Sequence, residues 1–458
     1  MTVVIGCGAG FSGDRTDAAV PLVETLLTYD TPCALMFETL GERTLAAAQL
    51  RRIEDPQSGD EPLLEAFLSP VLGDCLSANI TVLGNFGAAN PEAAQRRVAA
   101  LARTSRFPEV KLGVVSGDDV RDRLETLEWS AWEGERRELP SGSSVVAANV
   151  YLGAESLVEA LQRQAQVVIT GRVADPALAL APLCHHHNWA LDDWDRLAAG
   201  ALAGHLIECG AQVTGGYFAD PAFKDVPDLA ELGYPIVEVE RSGRLVVTKP
   251  PGTGGMVTEQ TVREQLLYEI HDPSVYITPD VVLDLTHVEI RQVGRDRVVV
   301  SGVRGRPRPE TLKTTISFLD GFQGEAEISY AGPNALARAR LAREILQQRL
   351  TKRCPPDLRS RFDLIGVSSV FDGDSEAWRG ASAGAVDDVR LRLAVEHEQR
   401  EVVELATQEL LALYCCGPAG GGGVRRYHKP RLKTASYLVS REQVHPKVTI
   451  YQGDSIYE

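Results

Sequence analysis

The sequence lacks the features of a secreted or membrane-inserted protein. Its eight cysteines form no CxxC pair, and the only close pair, Cys415 and Cys416, is adjacent. There is no leader-like start, because Met1 runs directly into a β-branched stretch, so we expect reduced thiols and a cytoplasmic location. No apolar run approaches the length of a membrane span, and we therefore expect no membrane partner.

Positive charge is the second shortage. The chain has 47 Lys and Arg residues against 63 Asp and Glu residues, which gives a net charge of −16. This balance disfavours general binding to nucleic acid or to anionic membrane, since both are polyanions. An anionic ligand would have to be held by a local basic cluster. The 458 residues exceed one ordinary core, so we expect two domains.

The first half of the chain repeats a short apolar strand, a polar turn and a helix. We predict strands at 3–5, 34–37, 80–83, 112–115, 145–150 and 167–169, and helices at 18–27, 91–102, 119–127 and 154–164. This alternation predicts an α/β fold with a mostly parallel, doubly wound sheet, the alternative being a barrel. We expect this domain, with a polar site at its strand ends, to cover residues 1–230.

From about residue 235 the pattern changes to alternating strands joined by tight turns. The segments 236–240 and 244–248 flank Ser242-Gly243, which predicts a hairpin. Further strand patterns and two helices, at 334–350 and 400–414, predict an α+β domain with an antiparallel sheet at 231–458.

Charged and amide side chains follow most of the predicted parallel strands. Because the carboxyl ends of parallel strands lie at one edge of a sheet, these side chains are expected to form a ligand site there. Helix N-caps explain some Asp and Asn residues but not the arginines, since a helix N-terminus disfavours cations. The predicted catalytic acids are Asp14, Glu38 and Glu42, and the predicted substrate-binding residues are Gly10, Ser12, Arg15, Arg43, Asn85, Asn149, Arg172, Asp175 and Glu208.

The opening strand leads into GAGFSG at 8–13, formally the GxGxxG of dinucleotide-binding proteins. Glu38 follows the second strand, where a ribose-binding acid would lie. An Asp-Arg pair directly after the third glycine is atypical of that fingerprint, so we interpret the stretch as an active-site loop. A dinucleotide site and a turn that only packs remain the alternatives.

A second glycine-rich stretch, 417–426, precedes the most basic part of the chain. Exposed backbone N–H groups beside basic side chains predict a site for the phosphates of a cofactor, at Gly421, Gly422, Gly423, Arg425 and Arg426. The alternative is a solvated loop or a basic edge that pairs with acids. We predict no metal site, because the adjacent residues His185–His187 cannot converge on one ion from a helix. Cys209 is either a nucleophile or a buried structural thiol.

Several segments resemble the acyclic terpene utilisation (AtuA) family. They are IGCGAGFSGDR (5–15), FETLGERT (37–44), NFGAANPEAA (85–94), VVITGRVADPALALAPL (167–183), GHLIECGAQVTGGYFADP (204–221), KPPGTGGMVTEQTVREQLLYEIHDP (249–273) and GEAEISYAGPNALARARLA (324–342). The resemblance covers most of the chain, in order, through roughly residue 440. It implies a part in the breakdown of citronellol-type and other branched acids through acyl-CoA thioesters, and it carries over no catalytic roles. Longer relatives have a small additional C-terminal domain, which we expect this chain to lack.

Three functions fit these observations. The first is an enzyme of acyl-CoA or small branched-carboxylate metabolism, most simply a hydratase or dehydratase with coenzyme A as carrier of its substrate. Its carboxylates would transfer protons, and its arginines and loop N–H groups would hold an enolate oxygen. The alternatives are a non-catalytic partner or scaffold of an acyl-CoA enzyme complex and an NAD(P)-dependent oxidoreductase. The expected partners are a small carboxylate or acyl-CoA and, for an enzyme of this size, further copies of the chain.

Overall fold

The computed structural model describes residues 1–132, 145–370, 386–453 and 455–457. The strands in these ranges are β1 Thr2–Cys7, β2 Cys33–Phe37, β3 Thr81–Gly84, β4 Lys111–Ser116, β5 Trp129–Ala131, β6 Val145–Val150, β7 Val167–Thr170, β8 Ile236–Glu240, β9 Leu245–Thr248, β10 Tyr276–Ile277, β11 Val282–Asp284, β12 Glu289–Gly294, β13 Arg297–Ser301, β14 Arg304–Arg306, β15 Thr311–Ala331, β16 Arg359–Ile365, β17 Asp388–His397, β18 Gly422–Ser440, β19 Lys447–Gln452 and β20 Ser455–Tyr457. The α-helices are α1 Ala19–Leu26, α2 Glu42–Glu54, α3 Leu64–Leu68, α4 Leu72–Ser77, α5 Pro91–Thr104, α6 Glu155–Gln162, α7 Ala177–His187, α8 Trp194–Ile207, α9 Glu259–Leu267, α10 Ala335–Arg353 and α11 Arg400–Cys416.

The largest sheet is mixed and has a parallel centre. Its strand order is β12-β13-β9-β8-β1-β2-β3-β7-β4-β19-β20. The neighbours from β1 through β2, β3 and β7 to β4 are parallel, and the pairs outside this centre are antiparallel. The mixed α/β architecture is therefore confirmed. The predicted hairpin is also present as β8 and β9, with Gly243 in the left-handed conformation that its turn requires (φ +90°).

The central strands are apolar along most of their length because helices cover both faces of the sheet. Alternate residues enter different cores, so Val4 packs with the α1 and α5 side while Ile5 packs with the α6, α7 and α8 side. This two-sided burial leaves the strand ends as the place where polar side chains can meet. No helix in the described ranges is long and apolar enough to cross a membrane.

Two local predictions about the first half are wrong. Residues 119–127 form no α-helix but a 3-10 turn at Arg121–Arg123 that leads to β5, and β6 pairs with β15 rather than joining the parallel centre. The reason is tertiary pairing: the N–H of Val120 donates to the carbonyl of Ala148, and the N–H of Val150 donates to the carbonyl of Asp118. The second bond takes the carbonyl of Asp118, which would have accepted the first hydrogen bond of a helix over 119–127.

The chain divides into two compact units, Met1–Ser317 with Thr434–Glu458, and Phe318–Lys433. The predicted boundary at residue 230 is not confirmed, because β8 lies beyond it and pairs with β1 in the large sheet. In the second unit, β16, β17 and the adjoining parts of β15 and β18 form an antiparallel sheet. Its apolar face packs against α10 and α11 around residues such as Ile328 and Leu410.

Candidate active site

A cavity of about 820 Å³ lies in the first unit, at the carboxyl ends of the parallel strands. The turns after β1, β2 and β7 line it, as expected for ligand sites of parallel sheets. The segment after α8 and the start of β15 supply further wall. Of the predicted catalytic and substrate-binding residues, those that line the cavity are Gly10, Ser12, Asp14, Glu38, Glu42, Arg172, Asp175 and Glu208.

Glu38 is a buried carboxyl at the end of β2. Its Oε1 accepts hydrogen bonds from the Leu40 N–H and from the side-chain amide of Asn85, each at 2.8 Å. Burial raises the pKa of Glu38, and the negative charge of Glu208 adds to the rise, although Arg172 and the two donors oppose it. The site therefore shifts this carboxyl toward its protonated, neutral form relative to an exposed glutamate.

His205 and Glu208 form a hydrogen-bonded acid–base pair at the end of α8. The ring Nε2 of His205 lies 3.2 Å from the Leu266 carbonyl, which only accepts, so Nε2 carries a hydrogen. The ring Nδ1 lies 3.1 Å from Glu208 Oε1, and a further proton must lie between these two atoms. Burial lowers the pKa of His205, but the hydrogen bond with Glu208 outweighs it and the net pKa is raised. Among the residues that the structure describes, buried Glu208 Oε2 has no hydrogen-bond partner.

Glu42 is the first residue of α2 and is held in an ionised state. Its Oε1 accepts from the Tyr151 hydroxyl and, at 3.3 Å, from Lys313 Nζ. Burial raises the pKa of Glu42, but the hydrogen bond from Tyr151 and the charges of Lys313 and Arg172 outweigh that rise. The net pKa is lowered to about 2. The cavity thus holds two carboxyls whose environments push their pKa values apart, Glu38 upward and Glu42 downward, which is how acid and base roles are separated in enzymes.

Arg172 does not present its guanidinium to a ligand. Its side chain is 1% exposed, and its N–H groups donate to the carbonyls of Leu40 and Val173 and to Asp175. Its Cζ also lies 4.5 Å from the ring centre of Tyr151. These partners accept four hydrogen bonds from the five guanidinium N–H groups, so Arg172 joins the turns after β2 and β7 and positions Tyr151.

Other atoms of the protein occupy the space beside the glycines of the loop after β1. A Cβ on Gly10 would lie 2.3 Å from the carbonyl carbon of Cys209, and one on Gly8 would lie 2.6 Å from the ring of Phe37. A dinucleotide fingerprint needs that space for a pyrophosphate and starts a helix at the third glycine, whereas α1 begins only at Ala19. The geometry favours the interpretation as a cavity-lining loop over that as a dinucleotide site.

Asp14 holds this loop in shape. It accepts from the N–H groups of Gly10 and Arg15, each at 2.8 Å, and from the Tyr234 hydroxyl. With these three donors its oxygens are engaged, and the structure favours Asp14 as an organiser of the loop more than as a proton carrier.

Four predicted substrate-binding residues are not part of the cavity wall. Arg15 pairs with Asp17 at 2.9 Å, and Arg43 is exposed on the first turn of α2. Asn85 lies behind Glu38, where its Oδ1 also accepts from the Thr39 N–H at 2.7 Å. Asn149 donates to Asp118 at 2.8 Å. Asn85 therefore acts on the cavity through Glu38.

The second glycine-rich stretch belongs to the second unit. Basic side chains in this stretch and directly after it pair within the unit: Arg426 donates to Gln408, His428 lies 3.0 Å from Glu404, and Lys433 lies 2.6 Å from Asp320. This pairing favours the alternative of a basic edge. The phosphate site at Gly421, Gly422, Gly423, Arg425 and Arg426 stays a prediction.

Several residues of the cavity went unrecognised in the sequence, namely His205, Tyr151, Lys313, Tyr234 and Tyr276. The spacing of His205 and Glu208, three residues apart at the end of a helical pattern, is a signal that could have revealed their contact. Lys313 gives no such signal, because it lies 271 residues from Glu42 in the chain. Burial raises the pKa of the Cys209 thiol, which favours the interpretation as a structural thiol.

Within the described ranges, no group of three or more His, Cys, Asp or Glu side chains is arranged to hold a metal ion. Searches among curated proteins and solved structures found no match to this chain. The sequence profile described as acyclic terpene utilisation family protein AtuA matches residues 3–450 and so spans the cavity and both units. The chain therefore belongs to the acyclic terpene utilisation (AtuA) family.

Proposed function

We propose that this chain is a lyase of the hydratase/dehydratase type that acts in the cytoplasm on an acyl-CoA thioester or a small branched carboxylate. The observation that carries the proposal is the His205–Glu208 pair: Glu208 lines a cavity that also contains Glu38, and its buried Oε2 has no hydrogen-bond partner among the described residues. Moving water across a double bond beside a carbonyl requires one group that removes a proton and another that protonates the leaving oxygen.

The His205–Glu208 pair and Glu38 can divide these two proton transfers. In a dehydration, Glu208 Oε2 takes the proton from the carbon next to the carbonyl, while His205 keeps its hydrogen bond to Oε1. Glu38, whose environment shifts its carboxyl toward the protonated form, gives its proton to the departing hydroxyl, so that water leaves and a carbon–carbon double bond forms. Hydration follows the same steps in reverse.

The test separates the two proton transfers. The purified chain is incubated in heavy water with branched 3-hydroxyacyl and 2-enoyl thioesters and with the corresponding free acids, and deuterium uptake and dehydration are followed by mass spectrometry. We expect Glu208→Gln to lose both deuterium uptake at the carbon next to the carbonyl and dehydration, each by about 10²- to 10⁴-fold. Glu38→Gln should lose dehydration but keep deuterium uptake.

Glu24→Gln is the matched control, because Glu24 is an exposed acid on α1 outside the cavity wall. It should leave both rates unchanged. The proposal fails if no member of the panel reacts, or if Glu38→Gln and Glu208→Gln both behave like the control.

A second candidate is a role as partner or scaffold in an acyl-CoA enzyme complex. It is favoured by exposed aromatic side chains at the cavity wall, since Phe11 is 57% and Tyr217 is 77% exposed. The same side chains would suit an interface with another copy of the chain. Native mass measurement of the purified chain, followed by pull-down from a cell extract, tests both. A monomer without captured acyl-CoA enzymes would count against this candidate.

A further inference from the structure

A single carboxylate oxygen in the cavity wall is held by two donors from distant parts of the chain. Glu42 Oε1 accepts from the hydroxyl of Tyr151, which follows β6, and from Nζ of Lys313 on β15. Two convergent donors on one negatively charged oxygen are the arrangement that enzymes use to stabilise an oxyanion. Here the oxygen belongs to the protein.

The other basic groups of the described cavity wall are already committed. Arg172 donates to two backbone carbonyls and to Asp175, and His205 lies between Glu208 and the Leu266 carbonyl. Lys313 is different, because within the described residues its Nζ donates to the Glu42 carboxylate and to no backbone carbonyl. The Glu42 side chain is 41% exposed, so it can rotate into solvent, and the ammonium of Lys313, whose side chain is 34% exposed, then remains in the cavity wall.

The two donors do not depend on Glu42 for their positions. The ring of Tyr151 contacts two cations, with Arg172 Cζ 4.5 Å and Lys313 Nζ 4.8 Å from its centre. The backbone N–H of Tyr151 also donates to the Lys313 carbonyl at 2.9 Å. These contacts fix the hydroxyl and the ammonium beside one another, so the pair remains when its acceptor leaves.

We propose that Tyr151 and Lys313 form the oxyanion site of this cavity, and that Glu42 occupies it as an internal stand-in until an acyl ligand displaces it. The displacing atom is the charged oxygen of the ligand, either a carboxylate oxygen or the enolate oxygen that develops when the neighbouring carbon loses its proton. The inference rests on the proposed function for the enolate, but the carboxylate arm concerns binding alone. It gives Glu42, predicted as a catalytic acid, the role of a competing internal ligand.

The experiment measures the dissociation constant of 3-methylbutanoate by titration calorimetry. Removing the internal ligand by Glu42→Ala should tighten binding by about tenfold or more, since the carboxylate then gains charge-assisted hydrogen bonds without competition. The matched control is Glu269→Ala, which removes another acid from the cavity wall without freeing the two donors. It should change the dissociation constant by less than about threefold.

Two double variants identify the site. Adding Lys313→Met or Tyr151→Phe to Glu42→Ala should each abolish the tighter binding, while the melting temperature confirms that the variants are folded. The inference is overturned if Glu42→Ala binds no tighter than Glu269→Ala, if the gain survives Lys313→Met, or if no variant binds the probe. Because binding needs no turnover, these outcomes are distinct from a failure of the lyase proposal.

A neutral thioester tests whether the site requires a negatively charged oxygen. The N-acetylcysteamine thioester of the same acid carries no net charge on its carbonyl oxygen. We expect its ground-state binding to change by less than about threefold in Glu42→Ala, because the ammonium of Lys313 gains little from a neutral acceptor. An equal gain for thioester and carboxylate would overturn the assignment of a site for negative charge.

Discussion

Replacing Arg172 should lower the free energy of unfolding rather than weaken ligand binding directly. The guanidinium is 1% exposed and joins the turn after β7 to the carbonyl of Leu40 in the turn after β2. Arg172→Met leaves that carbonyl without its donor and leaves Asp175 without its cation. The structure thus predicts a loss of stability for a residue whose sequence position predicts substrate binding.

The size of the effect follows from these contacts. Breaking a buried ion pair by removing one partner costs about 3–5 kcal/mol. Asp175 is 34% exposed, which relieves part of its own penalty, so we expect the lower end of that range, about 3 kcal/mol. Arg172→Lys should recover little of it, because an ammonium cannot reproduce the planar fork that reaches Leu40, Val173 and Asp175 together.

The assay is urea unfolding monitored by circular dichroism. The midpoint urea concentrations of the two variants and the parent chain are compared, provided that the slope of unfolding free energy against urea is the same. Titration of the folded fraction with 3-methylbutanoate provides the second readout. The reasoning is refuted if Arg172→Met unfolds at the same urea concentration as the parent chain and instead weakens ligand binding. That outcome would return Arg172 to the role of a substrate-binding cation.

Three further changes test residues in the cavity wall or directly behind it. Asn85→Ala removes a donor from Glu38, so the limb of the pH–rate profile that reports Glu38 should move to higher pH and the free energy of unfolding should fall by about 1–3 kcal/mol; an unmoved limb would contradict the positioning role. Burial raises the pKa of Asp118 to about 6, so the folded chain binds this proton more tightly than the unfolded chain, and stability falls as pH rises from about 4 to about 6. Asp118→Asn should remove that loss and gain up to about 3 kcal/mol on the parent across this window, measured by urea unfolding at each pH. Gly10→Ala should cost about 1–3 kcal/mol or more because its Cβ meets the backbone of Cys209, whereas an open, ligand-facing glycine would tolerate it.

Much of the fold could be predicted because its signals are local. Strands such as β2 and β7 read as apolar runs that end in polar turns, and these turns do meet at one edge of the sheet. The prediction fails where long-range pairing overrides the local pattern. The stretch after β4 has a helical pattern but hydrogen-bonds to β6, and the hairpin of β8 and β9 joins the large sheet instead of starting a new domain.

The sequence by itself determined the family, the parallel strands and the gathering of Glu38, Glu42 and Glu208 around one cavity, because side-chain alternation and turn residues are properties of short segments. Only the tertiary structure decided what each side chain does there. The Arg172 guanidinium donates to backbone carbonyls, and Lys313, which donates to Glu42, lies 271 residues from it in the chain. Such partners are chosen by packing between remote segments, and charge and pKa depend on those partners, so no local pattern encodes them.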